Sequence, residues 1–141
     1  MTIDVSDAIA GERSANSPVA VGAGALLVVI GVAGFFVAGT HPMVGPGGGQ
    51  LFGALQVNML HTVVHLGSGA ALVAAAILGA RQARLANTVT GTGYLLLCLF
   101  GVLFAGSPID PLALNGADNA LHLLLGVALV IAGLGADRGA S

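Results

Sequence analysis

The chain has 141 residues, of which 56% are hydrophobic and only 7% charged, whereas a soluble domain carries about 25% charged residues. No Asp, Glu, Lys or Arg occurs from Ser14 to Ala80, and a small domain, most of which is surface, cannot face water with such a stretch. Composition therefore excludes a soluble domain and points to an integral membrane protein; a net charge of −2 with scattered arginines excludes the clustered cations a nucleic-acid partner needs.

Residues 1–17 read as a polar tail containing Asp4, Asp7, Glu12 and Arg13. The first apolar run, 18–39, is long enough to cross a bilayer, which takes about 20 residues at about 1.5 Å each. A secretory signal is the competing reading. The preceding tail is acidic and the run exceeds an ordinary signal core, so the run is expected to stay attached as an anchor. "THPMVGPGGGQ" follows and reads as a loop. The second apolar run, 51–80, is long for one crossing, so its first turn or two are expected to project beyond the hydrocarbon or lie along the interface. "RQAR" links it to a third span at 88–106. "SPIDPLALNGAD" then leads to a fourth at 115–134, its prolines ending the third helix. The membrane domain is thus 18–136, followed by a short tail, 137–141. The single cysteine, Cys98, lies in an apolar run and reads as a small hydrophobe.

Arginine placement sets an expected orientation. Arg13, the pair Arg81 and Arg84, and Arg138 are separated by even numbers of crossings. All four therefore fall on one side, which places both termini in the cytoplasm of an inner-membrane protein. The two arginine-free loops, with Asp110 and His41, should face outward.

The second and fourth spans echo each other. "NMLHTVVH" begins at Asn58 and "NALHLLLG" at Asn119. The first and third spans echo through "GAGALLVVIG" and "GTGYLLLCLFG". The pattern predicts a duplicated helical hairpin whose copies share one orientation, related by a pseudo-twofold axis along the membrane normal. Abundant glycine suits close helix approach in lipid.

At about 100° per residue, Asn58, His61 and His65 fall within roughly 60° of arc on one helix face. Asp118, Asn119 and His122 share a face of the fourth span. These six residues are expected to form one polar cluster in the outward half of the bundle, because such groups are costly against lipid. Four uses compete. The cluster can be hydrogen-bonded glue between helix pairs. It can be a transition-metal site, with His61 and His65 spaced i, i+4 and His122 or Asp118 as a further ligand. It can hold a haem between His122 and a histidine of the second span. It can be a proton relay or pH sensor. Asn115 reads as a helix cap, and Asp118 suits the positive end of the helix dipole. Tyr94 reads as an interface aromatic or a hydrogen-bonding group.

Asn58, His61, His65 and Gly69, then Gly91 and Tyr94, then Asn115, Asp118, Asn119, His122 and Gly126 together resemble the bacterial "domain of unknown function 4383" family. The resemblance covers about 19–134 and implies a small four-helix integral membrane protein, with no activity to carry over. The expectation is thus an all-α bundle of four transmembrane helices, built as two parallel helical hairpins. Its expected role is structural or partner-binding, with the bilayer, a further copy or another membrane protein as partner. No nucleophile–base arrangement, carboxylate pair or nucleotide loop suggests an enzyme.

Overall fold

The computed structural model describes residues 14–135. Four helices dominate it: α1 (Asn16–Ala38), α2 (Met59–Leu78), α3 (Ala80–Phe104) and α4 (Gly116–Gly135). A small antiparallel hairpin of β1 (Gly49–Leu51) and β2 (Leu55–Val57) lies between α1 and α2. All four helices are long and apolar enough to span a bilayer. Between 22% and 39% of each apolar window is buried inside the bundle, so most of that surface faces outward. Phe36, Ile77 and Leu124 are 84%, 79% and 70% exposed. An apolar exterior this extensive requires lipid rather than water.

The chain packs as two helical hairpins, α1 against α2 and α3 against α4. Glycines set the closeness of both pairs. A Cβ on Gly24 would lie 2.8 Å from the carbonyl oxygen of Gly69, and one on Gly69 would lie 2.7 Å from that of Gly24. In the other pair, Gly91 meets Leu129 and Val130, while a Cβ on Gly126 would come within 3.0 Å of the Gly91 carbonyl. Where lipid is as apolar as leucine, backbone approach of this kind supplies the van der Waals attraction that holds helices together. Leu27, Leu72 and Leu129, all fully buried, fill the middle of the bundle between the hairpins.

Two segments depart from the expected spans. The run 51–80 is not one helix. Its first residues pair with 49–51 in register Gly49↔Val57, Gln50↔Gln56, Leu51↔Leu55. The turn between them is closed by Ala54 N–H donating to the Leu51 carbonyl at 3.1 Å. Phe52 and Gly53 both have positive φ there, 53° and 70°, a region glycine enters freely and phenylalanine does not. "LFGALQV" is apolar enough to continue a helix, so hydropathy alone does not separate the two outcomes. Asn58 decides it: its extended backbone and its Oδ1, which accepts from His61 N–H at 2.9 Å, start α2 at Met59.

The second departure is at "RQAR", which is not a linking loop. Gly79, at φ 124° and ψ 172°, alone joins α2 to α3, and Arg81 and Arg84 sit in the first turns of α3. The third helix therefore begins well before the expected 88, continuing through polar residues that hydropathy assigns to a loop. Only glycine adopts that backbone conformation without strain.

Candidate functional site

The end of the bundle farthest from Gly79 is closed by a dense set of backbone contacts. Asp110, fully buried, accepts three N–H bonds: Leu112 on Oδ1 at 3.0 Å, and Gly106 and Leu114 on Oδ2 at 3.0 and 2.8 Å. It thereby fixes the α3–α4 connection rather than standing free in an outward loop. Asn58 Nδ2 donates to the carbonyls of Gly45 (2.9 Å) and Pro111 (2.8 Å), tying one interhelical connection to the other.

At the start of α4 the cap is reciprocal. Asn115 Oδ1 accepts from Asp118 N–H, and Asp118 Oδ2 accepts from Asn115 N–H, each at 2.9 Å. This is a capping box with aspartate in the acidic position. Asp118 Oδ2 also accepts from Gln56 N–H of β2 at 3.2 Å, and Asn115 Nδ2 donates to the Ala54 carbonyl at 2.7 Å. The β-hairpin is thus bonded across the hairpin boundary to the N-terminus of α4.

Beneath this cover lie His61 and His65 of α2 and His122 of α4, all fully buried. One nitrogen from each ring lies within 4.8 Å of the others. The ring centroids are 4.4 Å apart for His61–His65, 5.4 Å for His61–His122 and 5.9 Å for His65–His122. His61 Nδ1 faces the Gln56 carbonyl at 3.2 Å. A carbonyl can only accept, so Nδ1 carries the proton and Nε2 presents its lone pair to the cluster. That Nε2 is 3.4 Å from His122 Nε2. Neither ring nitrogen of His65 has a hydrogen-bond partner among the described residues, nor has His122 Nδ1.

Tyr94 of α3 walls the cluster from below. Its ring lies 5.2 Å from that of His122 and is stacked 6.2 Å from that of His65. Its hydroxyl is 2.8 Å from Ser68 Oγ, which donates to the Val64 carbonyl at 2.7 Å. Buried to 2% exposure, Tyr94 is not an interface aromatic but a hydrogen-bonded wall of the site. Its "GTGY" spacing is the one sequence signal that could have placed it there.

The six residues expected to cluster divide three ways. The three histidines converge. Asn58 and Asp118 serve as caps directly above them, with Asp118 Oδ1 buried and unpartnered. Asn119 points elsewhere: its carboxamide lies against Gly101 in the α3–α4 contact. His41 is exposed, its Nδ1 near the Val37 carbonyl and Thr40 Oγ1, outside the cluster. Gln56 and Ser68 are the site residues that sequence reasoning missed, because both act through contacts that no local pattern encodes.

No curated protein and no solved structure matches the chain. A family model, "Domain of unknown function (DUF4383)", matches residues 18–135. That span takes in all but the first two residues of the four helices, the β-hairpin and every residue of the histidine cluster, and the chain is a member of this family.

Proposed function

We propose that this is a membrane protein that binds one transition-metal ion between its two helical hairpins, through His61, His65 and His122. The observation that carries the reading is His65: a fully buried imidazole, in ring contact with two others, that has no hydrogen-bond partner among the described residues. A residue kept as interhelical glue would hydrogen-bond, since an unpaired buried polar group costs about 1–3 kcal/mol. Coordination by an ion would give this imidazole a partner.

The distances agree with this reading. Two nitrogens bound about 2.0–2.1 Å from a tetrahedral ion lie about 3.4 Å apart, the separation found between the Nε2 atoms of His61 and His122. The third nitrogen, within 4.8 Å, needs an inward shift of at most about 1.4 Å (4.8 − 3.4). The Gln56 carbonyl orients His61 as outer-shell acceptors orient metal-bound histidines. Buried Asp110 and Asp118 supply negative charge at this end of the bundle, where the described residues contain no arginine. Imidazole ligands suit Zn, Cu, Fe and Ni. The rings touch one another too closely to admit a macrocycle, so an ion is favoured over haem.

A duplication supports the same reading. The caps give a register different from the Asn58–Asn119 match expected from sequence. Asn58 corresponds to Asn115, His61 to Asp118, His65 to His122 and Gly69 to Gly126; in the partner helices Gly24 corresponds to Gly91 and Gly34 to Gly101. Each asparagine caps its helix through the residue three positions on, and the paired glycines make matching close approaches. An ancestral pair of identical hairpins would present two i, i+4 ligand pairs to one central point. We further infer an inner-membrane location with both termini cytoplasmic and the histidine end outward, from the arginines at the opposite end.

The test is metal analysis of the detergent-purified protein, with titration by Co²⁺, whose tetrahedral complexes are coloured. One ion per chain is expected, lost in His65→Leu while the helical circular dichroism stays unchanged. A wild-type protein that binds no ion at micromolar concentrations sinks the reading.

A further inference from the structure

A second feature lies at the opposite end of the bundle and owes nothing to the histidines. A groove of about 560 Å³ runs between the first turns of α3 and the end of α4. Arg81, Arg84, Leu85 and Thr88 line it at intervals of i, i+3, i+4 and i+7, so they share one face of α3. Gly133 and Leu134 form its other side. Gly133 is needed there, because a side chain would collide with Thr88.

The groove sets cationic side chains beside apolar ones. Arg81 stands at the helix start, and Arg84 and Leu85, the latter 66% exposed, stand side by side one turn further along α3. Arg84 Nε donates to the Gly133 carbonyl at 3.0 Å, which fixes the guanidinium at the mouth of the groove. The described residues contain two carboxylates, Asp110 and Asp118, and both lie at the far end of helices roughly 30 Å long. Neither arginine therefore has an acidic partner among the described residues. Two cations beside the apolar side chains of Leu85 and Leu134, at the end of two membrane-spanning helices, are complementary to a lipid with a negative head.

We propose that this groove binds one anionic glycerophospholipid, its phosphate held between Arg81 and Arg84 and an acyl chain lying along Leu85 and Leu134. Guanidinium groups bind phosphate bidentately, with more directional contact than lysine gives. The site ties α3 to α4 at the end where few other polar contacts do so.

Native mass spectrometry of the full chain, released from detergent with phosphatidylglycerol or phosphatidylcholine added, tests this. One phosphatidylglycerol per chain is expected, retained about tenfold more strongly than phosphatidylcholine. The preference should fall to near unity in the Arg81→Gln/Arg84→Gln double variant. Arg81→Gln alone keeps the Arg84–Gly133 bond, so a partial loss in that variant separates lipid binding from misfolding. Millimolar inorganic phosphate should not displace the lipid, since it lacks the acyl chain. Equal retention of the two lipids, a preference untouched by the double variant, or displacement by phosphate would each overturn the proposal.

Discussion

The two ends of the bundle solve the same problem in opposite ways. At the histidine end, the chain supplies partners for its own polar groups: Asp110 takes three N–H donors, Asn58 reaches three backbone groups, and Asn115 and Asp118 cap one another. At the other end, a single glycine joins two helices and two arginines find no carboxylate among the described residues. The first end is preorganised, as the proposed ion site would require. The second is where the proposed lipid would supply partners. Within the histidine end, His65 stands out as the histidine with neither ring nitrogen hydrogen-bonded among the described residues.

That contrast can be broken in graded ways. The largest effect is expected from Asp110→Ala, which removes the acceptor of three N–H groups, two of them buried, and should cost about 3 kcal/mol or more. Thermal unfolding in detergent followed by circular dichroism measures it. An unchanged midpoint would mean that the α3–α4 connection is held by something other than this carboxylate. Next comes Gly69→Ala, whose methyl would press on the Gly24 carbonyl; overpacking of this kind costs about 1–3 kcal/mol. Gly22→Ala, which meets nothing within 4 Å, is the control and should be neutral or slightly stabilising.

His65→Leu should move stability in the unusual direction. Without metal it removes two unsatisfied polar atoms, so the midpoint should hold or rise, by up to about 1 kcal/mol. With metal, the wild type alone should gain stability, by about 2.7 kcal/mol at a hundredfold excess over Kd. If the substitution destabilises the metal-free protein as a lost hydrogen bond would, the cluster is structural after all. The smallest effect is expected at Arg81→Gln, within about 0.5 kcal/mol, as for other exposed substitutions; a larger drop would mean that the groove end is held together through this side chain.

Much of the architecture is legible in the residues themselves. A charge-free stretch from Ser14 to Ala80 can only be membrane, and four apolar runs give four helices. The i, i+4 histidines and the echo at His122 signal a shared polar face, because each polar residue in such a background must find a reason to be there. What escaped was set by single backbone conformations. Phe52 and Gly53 turn an apolar run into a hairpin, and Gly79 turns a polar linker into a helix start. Hydropathy averages over windows and does not register one residue at positive φ. The fate of Asp118 and Asn119 was hidden for another reason. Helical phase puts both on the histidine face, but capping draws Asp118 upward to Asn115 and Gln56, and close α3–α4 packing takes Asn119 to Gly101.

Gly79 has a mechanical implication. It is the only residue between α2 and α3, and these helices belong to different hairpins, so any splaying of the two halves would pivot there, against the hydrogen bonds that tie them together at the histidine end. A helix of 20 residues gives arms of about 30 Å. One degree of rotation at the pivot then moves the tips by about 0.5 Å, and three degrees carry an imidazole out of bonding range of a shared ion. Gripping or releasing the ion would thus be read out as a change in splay between the two halves, and a substituent that stiffens the pivot would be felt at the far end of the membrane.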